Sequence, residues 1–274
     1  MGEYSKKELE QMAHRVRRSV VHMAYAAGAA GAHLGGNLSC VEILTVLYGK
    51  YLVWNRQDPY DPRRDRFLAG KAHCILTQYS VMREMGRITE TEQYSFLENG
   101  GLLMGYPKRP EFGLEYAGGT LGMALSVAVG MALDAKQRQR SNKVYVLLGD
   151  GECDEGMVWE AVMSAAKYQL GNLVVIVDRN HLQLSGTVEE VMALGDLGEK
   201  FQAFGWHVQE ADGHQIHALT EALDRLDDSR PNVLIAHTIK GKGISFVEHQ
   251  AEWHQNVLTE PLYQKALAEL EGKI

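Results

Sequence analysis

From Lys143 onward the chain alternates short runs of consecutive apolar residues with longer amphipathic stretches. Val144 to Leu148, Leu173 to Val177, Trp206 to Asp212 and Val233 to Ile239 read as strands. Glu155 to Leu170, Asp196 to Phe204 and Gln215 to Asp228 read as the helices between them. A strand apolar on both faces belongs in a sheet covered on both sides, and strands joined through helices run parallel. The pattern therefore predicts an α/β fold: a doubly wound, mostly parallel sheet with helices on both faces. Ahead of Lys143 the pattern is helical, and those helices are expected to cover one side of the sheet. Ser5 with Glu8, Ser39 with Glu42 and Thr89 with Glu92 have the S/T-x-x-E spacing of a capping box. From Pro261 a short amphipathic helix carries Leu262, Ala266, Leu267 and Leu270. No repeat, low-complexity tract or Pro/Ser-rich linker divides the chain, so residues 1–274 are expected to form a single domain.

Composition narrows the class. Of 274 residues 45% are hydrophobic and 23% charged, ordinary globular usage that excludes a mainly disordered or fibrous chain. The net charge of −7 supplies no positive field for nucleic acid or an anionic membrane, and neither partner is expected. Cys40, Cys74 and Cys153 lie far apart with no CxxC spacing, which fits neither a disulfide framework nor a zinc cluster. Met1 to Arg18 is charged throughout, without the apolar core of an export signal or a myristoylation pattern, so a cytoplasmic location is expected. Ser19 to Val41 and Tyr116 to Leu133 approach membrane-span length. Both are rich in Ala and Gly, and the first carries His22, His33 and Asn37, so packed helices and loops of a soluble protein explain them better.

In an open α/β sheet, ligands bind beyond the carboxyl ends of the strands. The four predicted strands end in Gly149-Asp150-Gly151, Asp178-Arg179-Asn180, Asp212-Gly213-His214 and His237-Thr238-Ile239-Lys240-Gly241-Lys242-Gly243, all polar, glycine-bearing or both. Neither a GxGxxG nor a GxxxxGK[ST] loop is present, which removes the main support for dinucleotide and P-loop readings. Gly149-Asp150-Gly151 instead holds a carboxylate between two residues without side chains, where backbone N–H groups and the start of the next helix can approach an anion. Asp150 with the amide oxygen of Asn180, about thirty residues later, is a hard-oxygen pair suited to Mg²⁺, or to Ca²⁺ or Mn²⁺ in its place.

A GDG with an Asn at that distance is similar to the fingerprint of thiamine-diphosphate enzymes. Further segments narrow the resemblance: Gly149 to Gly156 (Gly-Asp-Gly-x-x-x-Glu-Gly), Ala32 to Ser39, Arg64 to Phe67 leading to Lys71-Ala72-His73, Gly119 to Gly122, Ile239 to Gly243, and Trp253-His254. Together these resemble the N-terminal, diphosphate-binding half of transketolase over essentially the whole chain. The resemblance implies a thiamine-diphosphate-binding fold in which Asp150, Asn180 and the carbonyl of Leu182 bind the metal and Gly151 meets the diphosphate. His73 and His254 would contact the diphosphate side of the cofactor, and Gly119, Thr120 and Leu121 would line the aminopyrimidine. His33 and His254 would act on the donor sugar as catalytic residues. Glu155 and Glu160 would lie near the cofactor and a subunit interface, the alternative being a solvated helix face, and Lys240 and Lys242 near a substrate phosphate, the alternative being an ordinary flexible loop. His14, His22, His181, His207, His217 and His249 lack such motif context and are expected to be structural or surface residues.

Departures from the family pattern bear on the substrate. Gly105-Tyr106-Pro107 stands where the family has Gly-His-Pro, and Gly119 to Ala124 reads Gly-Thr-Leu-Gly-Met-Ala in place of Gly-Ser-Leu-Gly-Gln-Gly. Ala72 replaces a glycine and His237 a lysine. The resemblance implies transfer of a two-carbon ketol unit from a ketose to an aldose. Its rivals are a 2-oxo-acid decarboxylating or deoxyxylulose-phosphate-synthase-like enzyme, and, in another class, a non-catalytic cofactor-binding or regulatory subunit. In the family a glutamate from a second, pyrimidine-binding domain activates the cofactor, and that domain follows this one. The chain stops at Ile274, so a separate C-terminal transketolase subunit is expected as partner, in a heterotetramer with two copies of each chain.

Overall fold

Val144 to Gly149 and Leu173 to Arg179 are buried along nearly their whole length, as a strand packed on both faces must be. The computed structural model describes residues 4–54, 58–101 and 103–272; Met1 to Glu3 of the charged N-terminus and the final Lys273 and Ile274 lie outside them. The strands are β1 (Arg66–Ala69), β2 (Val144–Gly149), β3 (Leu173–Arg179), β4 (His207–Asp212) and β5 (Asn232–His237). They form one sheet in the order β1-β2-β3-β5-β4, with every neighbouring pair parallel. The helices are α1 (Lys6–Ala26), α2 (Leu34–Ser39), α3 (Val41–Val46), α4 (Ile75–Glu84), α5 (Glu90–Tyr94), α6 (Met123–Gln137), α7 (Gly156–Lys167), α8 (Val188–Met192), α9 (Leu197–Ala203), α10 (Ile216–Leu223) and α11 (Glu260–Leu270).

Alternate residues of each central strand serve two cores. Val144, Val146 and Leu148 of β2 and Val175 and Val177 of β3 pack with α6, α7 and α9. Tyr145, Leu147, Val174 and Ile176 pack on the opposite face with α1 to α4, α10 and α11. Each Val, Leu or Ile so enclosed contributes about 1.5–3 kcal/mol, which fixes the strand register as well as the layers. Among the described residues no helix is long and apolar enough to cross a membrane, and Cys40, Cys74 and Cys153 are free and buried.

The chain ahead of Lys143 is not wholly helical, because β1 comes from it. Four residues are too few to display an alternation, yet Phe67 faces one core and Leu68 the other. Nor do the early helices all cover one side: α6 lies on the face opposite α1 to α4. The capping boxes at Ser5 and Thr89 form, and Thr187 with Glu190 adds one at α8. The predicted box at Ser39 does not form. Ser39 ends α2 and donates to Asp178 at 2.6 Å, while Glu42 turns to Arg17 and His214. Both side chains are buried, and a buried partner prevails over a helix end. The predicted helix over 215–228 stops at Leu223, beyond which Asp227 accepts from Ser229 and Arg230 in a turn.

Candidate active site at the carboxyl edge of the sheet

The parallel register sets Gly149 beside Asp178, Arg179 beside His237 and Asp212 beside His237, so the four polar tips share one edge. A cavity of about 300 Å³ opens there. It is lined by His33, His73, Gly119, Leu121, Asp150, Gly151, Asn180, Leu182 and His254, which places nine of the ten anticipated site residues together. Thr120, the tenth, is exposed beside Gly119 and Leu121 and does not line it. Glu155 and Glu160 are exposed, and Lys242 pairs with Glu248 at 3.6 Å outside the cavity.

Three histidines reach the cavity from segments far apart in sequence. His33 precedes α2, His73 follows β1 in a tight turn, and His254 ends a turn at Ala251–His254. An antiparallel bridge between Ala32 and Asn256 draws the first and third together. The buried Asn37 amide donates to the carbonyls of His33 and His73, each at 2.8 Å, and its oxygen accepts from Thr77 N–H at 2.9 Å. Gly35 permits this closeness, since a Cβ there would lie 2.9 Å from the Trp253 carbonyl oxygen. The ring centroids form a triangle with sides of 5.2, 5.3 and 5.0 Å.

Burial, then the neighbouring lysines and imidazoles, pull all three histidine pKa values down; His254 falls to about 3. The rings are therefore neutral near pH 7, each with one N–H and one lone pair. For His254 the tautomer follows from its partner. The Lys240 ammonium, which can only donate, lies 3.1 Å from Nδ1, so the ring proton sits on Nε2.

Three further charged residues line the cavity: Lys240, a candidate for a substrate phosphate in the sequence, and Lys71 and Glu152, to which the sequence pattern assigns no role. Lys71 is fully buried, donates to the Gly36 carbonyl at 2.8 Å and forms a short ion pair with Asp178. Burial favours its neutral form, but Asp178 overrides this and raises its pKa. Lys240 donates to the Leu182 carbonyl at 2.9 Å, and burial beside Lys71 lowers its pKa to about 8. Glu152 lines the cavity and accepts from the Gly122 and Gly149 N–H groups at 3.0 and 3.1 Å; burial raises its pKa to about 7. In the sequence Lys71 is marked only by its place in a motif, and Glu152 only by standing two residues after Asp150.

Asp150 is buried, and its nearest cationic atom, on Arg179, is 3.9 Å away. Its two oxygens accept from the backbone N–H groups of His181 at 2.6 Å and Gly151 at 2.8 Å. Burial and then Asp178 nonetheless raise its pKa, which marks a carboxylate short of positive charge. The Asn180 amide oxygen and the Leu182 carbonyl lie on the adjoining segment. One carboxylate, one amide and one carbonyl suit a hard cation that completes its shell with phosphate and water. Among the described residues no group of three or more His, Cys, Asp or Glu side chains is arranged to hold a metal.

Comparison with known proteins agrees with this geometry. Residues 10–270 match the family described as transketolase, thiamine diphosphate binding domain. An apulose-4-phosphate transketolase subunit of Phocaeicola vulgatus is 40% identical over 269 residues, covering 97% of this chain and 95% of that one. A 6-deoxy-6-sulfo-D-fructose transketolase subunit of a Clostridium species is 36% identical, covering 87% of this chain and 88% of its own. Human transketolase is 34% identical over 97% of this chain, which spans 42% of the human protein. Transketolase from Campylobacter jejuni superposes with a TM-score of 0.87 at 26% identity, covering 99% of this chain and 43% of its own. Sequence, fold and relatives agree: the chain belongs to the transketolase family, through its thiamine-diphosphate-binding domain.

Proposed function

We propose that residues 1–274 form the single diphosphate-binding domain and subunit of a two-chain transketolase that moves a two-carbon ketol unit from a phosphorylated ketose to an aldose. The observation that carries this reading is the meeting of the Asp150, Asn180 and Leu182 oxygens with three neutral histidines in one cavity. When bound, thiamine diphosphate supplies the carbanion chemistry and Mg²⁺, Ca²⁺ or Mn²⁺ neutralises its diphosphate. Asp150, Asn180 and the Leu182 carbonyl are the residues to hold the metal. Gly151, His73 and His254 are those for the diphosphate side, and Gly119, Thr120 and Leu121 for the aminopyrimidine.

His33 and His254 bind the donor's oxygens and move protons at its hydroxyl groups. A neutral imidazole donates through one nitrogen and accepts through the other, which suits it to both tasks. His254 offers its Nε2 proton because Lys240 occupies Nδ1. Tyr106, in place of the family histidine, also lines the cavity and leaves the donor's identity open to a sugar other than the usual pentose phosphate. The relatives' names support a donor with an anionic end, since one names a sugar phosphate and another a sulfo-sugar.

Their designation as subunits supports a partner chain here. That partner supplies the pyrimidine-binding domain and its activating glutamate, in a cytoplasmic assembly with two copies of each chain. The test is to purify this chain alone and with the adjacent-gene product and assay ketol transfer from phosphorylated ketoses. Activity only on mixing, with a larger assembly by light scattering, is expected. Full activity of the isolated chain contradicts the two-chain reading, and CO₂ release from pyruvate without ketose turnover contradicts the reaction.

A further inference from the structure

His214 follows β4 and lies outside the cavity, with its side chain 10% exposed. Its Nε2 accepts from the Ile239 N–H at 2.8 Å. An amide can only donate, so Nε2 carries no proton and Nδ1–H donates to Glu42, 2.9 Å away. Glu42 is paired in turn with Arg17, whose guanidinium also donates to the carbonyls of Leu38 at 3.0 Å and Lys242 at 2.9 Å. The segment bearing Lys240 is thus fastened on both sides. Ile239 is held by His214, the Gly241 N–H donates to the Gly35 carbonyl at 2.9 Å, and the Lys242 carbonyl is held by Arg17. Gly241 has φ +84°, and a Cβ there would collide with the Val247 carbonyl oxygen, so the segment has little room to readjust. From this fixed backbone Lys240 reaches the Leu182 carbonyl and His254 Nδ1.

We propose that His214 is a positioning residue for the Lys240–His254 pair, acting from outside the cavity through the acceptor it offers the Ile239 N–H. The bond to Glu42 fixes the tautomer; the bond to Ile239 does the positioning. This rests on the transketolase reading only for the reaction that is assayed.

Two substitutions separate the two bonds. His214→Gln places an amide oxygen near Nε2 and keeps the acceptor, whereas His214→Asn places its amide near Nδ1 and keeps only the link to Glu42. In the full chain, hydrogen exchange at the amides of residues 239–242 should accelerate in His214→Asn and stay close to wild type in His214→Gln. In the assembled enzyme, kcat/KM for the ketose should fall about tenfold or more in His214→Asn and within about threefold in His214→Gln, since small misplacements at a reacting centre are costly. Equal behaviour of the two variants, or the reverse order, overturns the proposal. The wild-type chain gives a check that needs no substitution: nitrogen NMR should find His214 Nε2 unprotonated, and a proton there also overturns it. Should the wild-type assembly turn over no ketose, the transketolase reading fails while the exchange and NMR results still decide the role of His214.

Discussion

His254 is kept neutral by burial and then by the Lys240 ammonium, so it presents the same N–H donor across the physiological range. Its ring signals are expected to stay flat from about pH 5 to 7 in an NMR titration, unlike those of an ordinary histidine. Lys240→Met removes the second of those causes and should move the His254 titration upward; a ring that titrates near 6.5 in the wild-type chain contradicts the assignment. Glu152 has the opposite sign. Its pKa of about 7 in the folded chain exceeds the ordinary 4.5, so the native state holds an extra proton between those values. Its contribution is complete below the lower value and is lost as pH rises through the upper, by about 3 kcal/mol in all. Urea unfolding of the cofactor-free chain should therefore weaken over that window, and Glu152→Gln should flatten the slope. Asp150 and Asn180 were legible because one helix and one strand separate them at the tips of adjacent strands. Glu152, Lys71 and Asp178 were not, because their state is set by burial and by each other.

The capping signals at Ser5 and Thr89 set helix starts that face water. Ser5→Ala and Thr89→Ala should each cost about 1 kcal/mol, the ordinary worth of an N-cap. Ser39→Ala acts differently, since it caps no helix and instead removes a donor to the buried Asp178. It should cost about 1–3 kcal/mol by leaving that carboxylate under-satisfied. Chemical denaturation of the three variants measures this; a Ser39→Ala loss smaller than both cap losses contradicts the buried role. Among the three boxes predicted from the sequence, the same spacing thus meant a cap twice and a tertiary contact once, a difference that burial decides. β1 escaped detection because Arg64 and Asp65 lead into only four strand residues, whereas the longer runs of β2 and β3 announced themselves.

For the molecule as a whole, parallel strands and two-sided packing follow from runs apolar on both faces, and the position of the site follows from the carboxyl edge. The order β1-β2-β3-β5-β4 was not legible, because the pattern along a strand carries nothing about which neighbour it pairs with. The chain spans nearly all of its subunit relatives and about two-fifths of single-chain transketolases. The central claim is that the strand tips hold thiamine diphosphate through a divalent cation at Asp150. Calorimetric titration of thiamine diphosphate into the chain with its partner, with and without Mg²⁺, tests it most directly when wild type is set against Asp150→Ala. Metal-dependent binding that disappears in Asp150→Ala is the expected result; binding unchanged by the substitution, or indifferent to the metal, would contradict it.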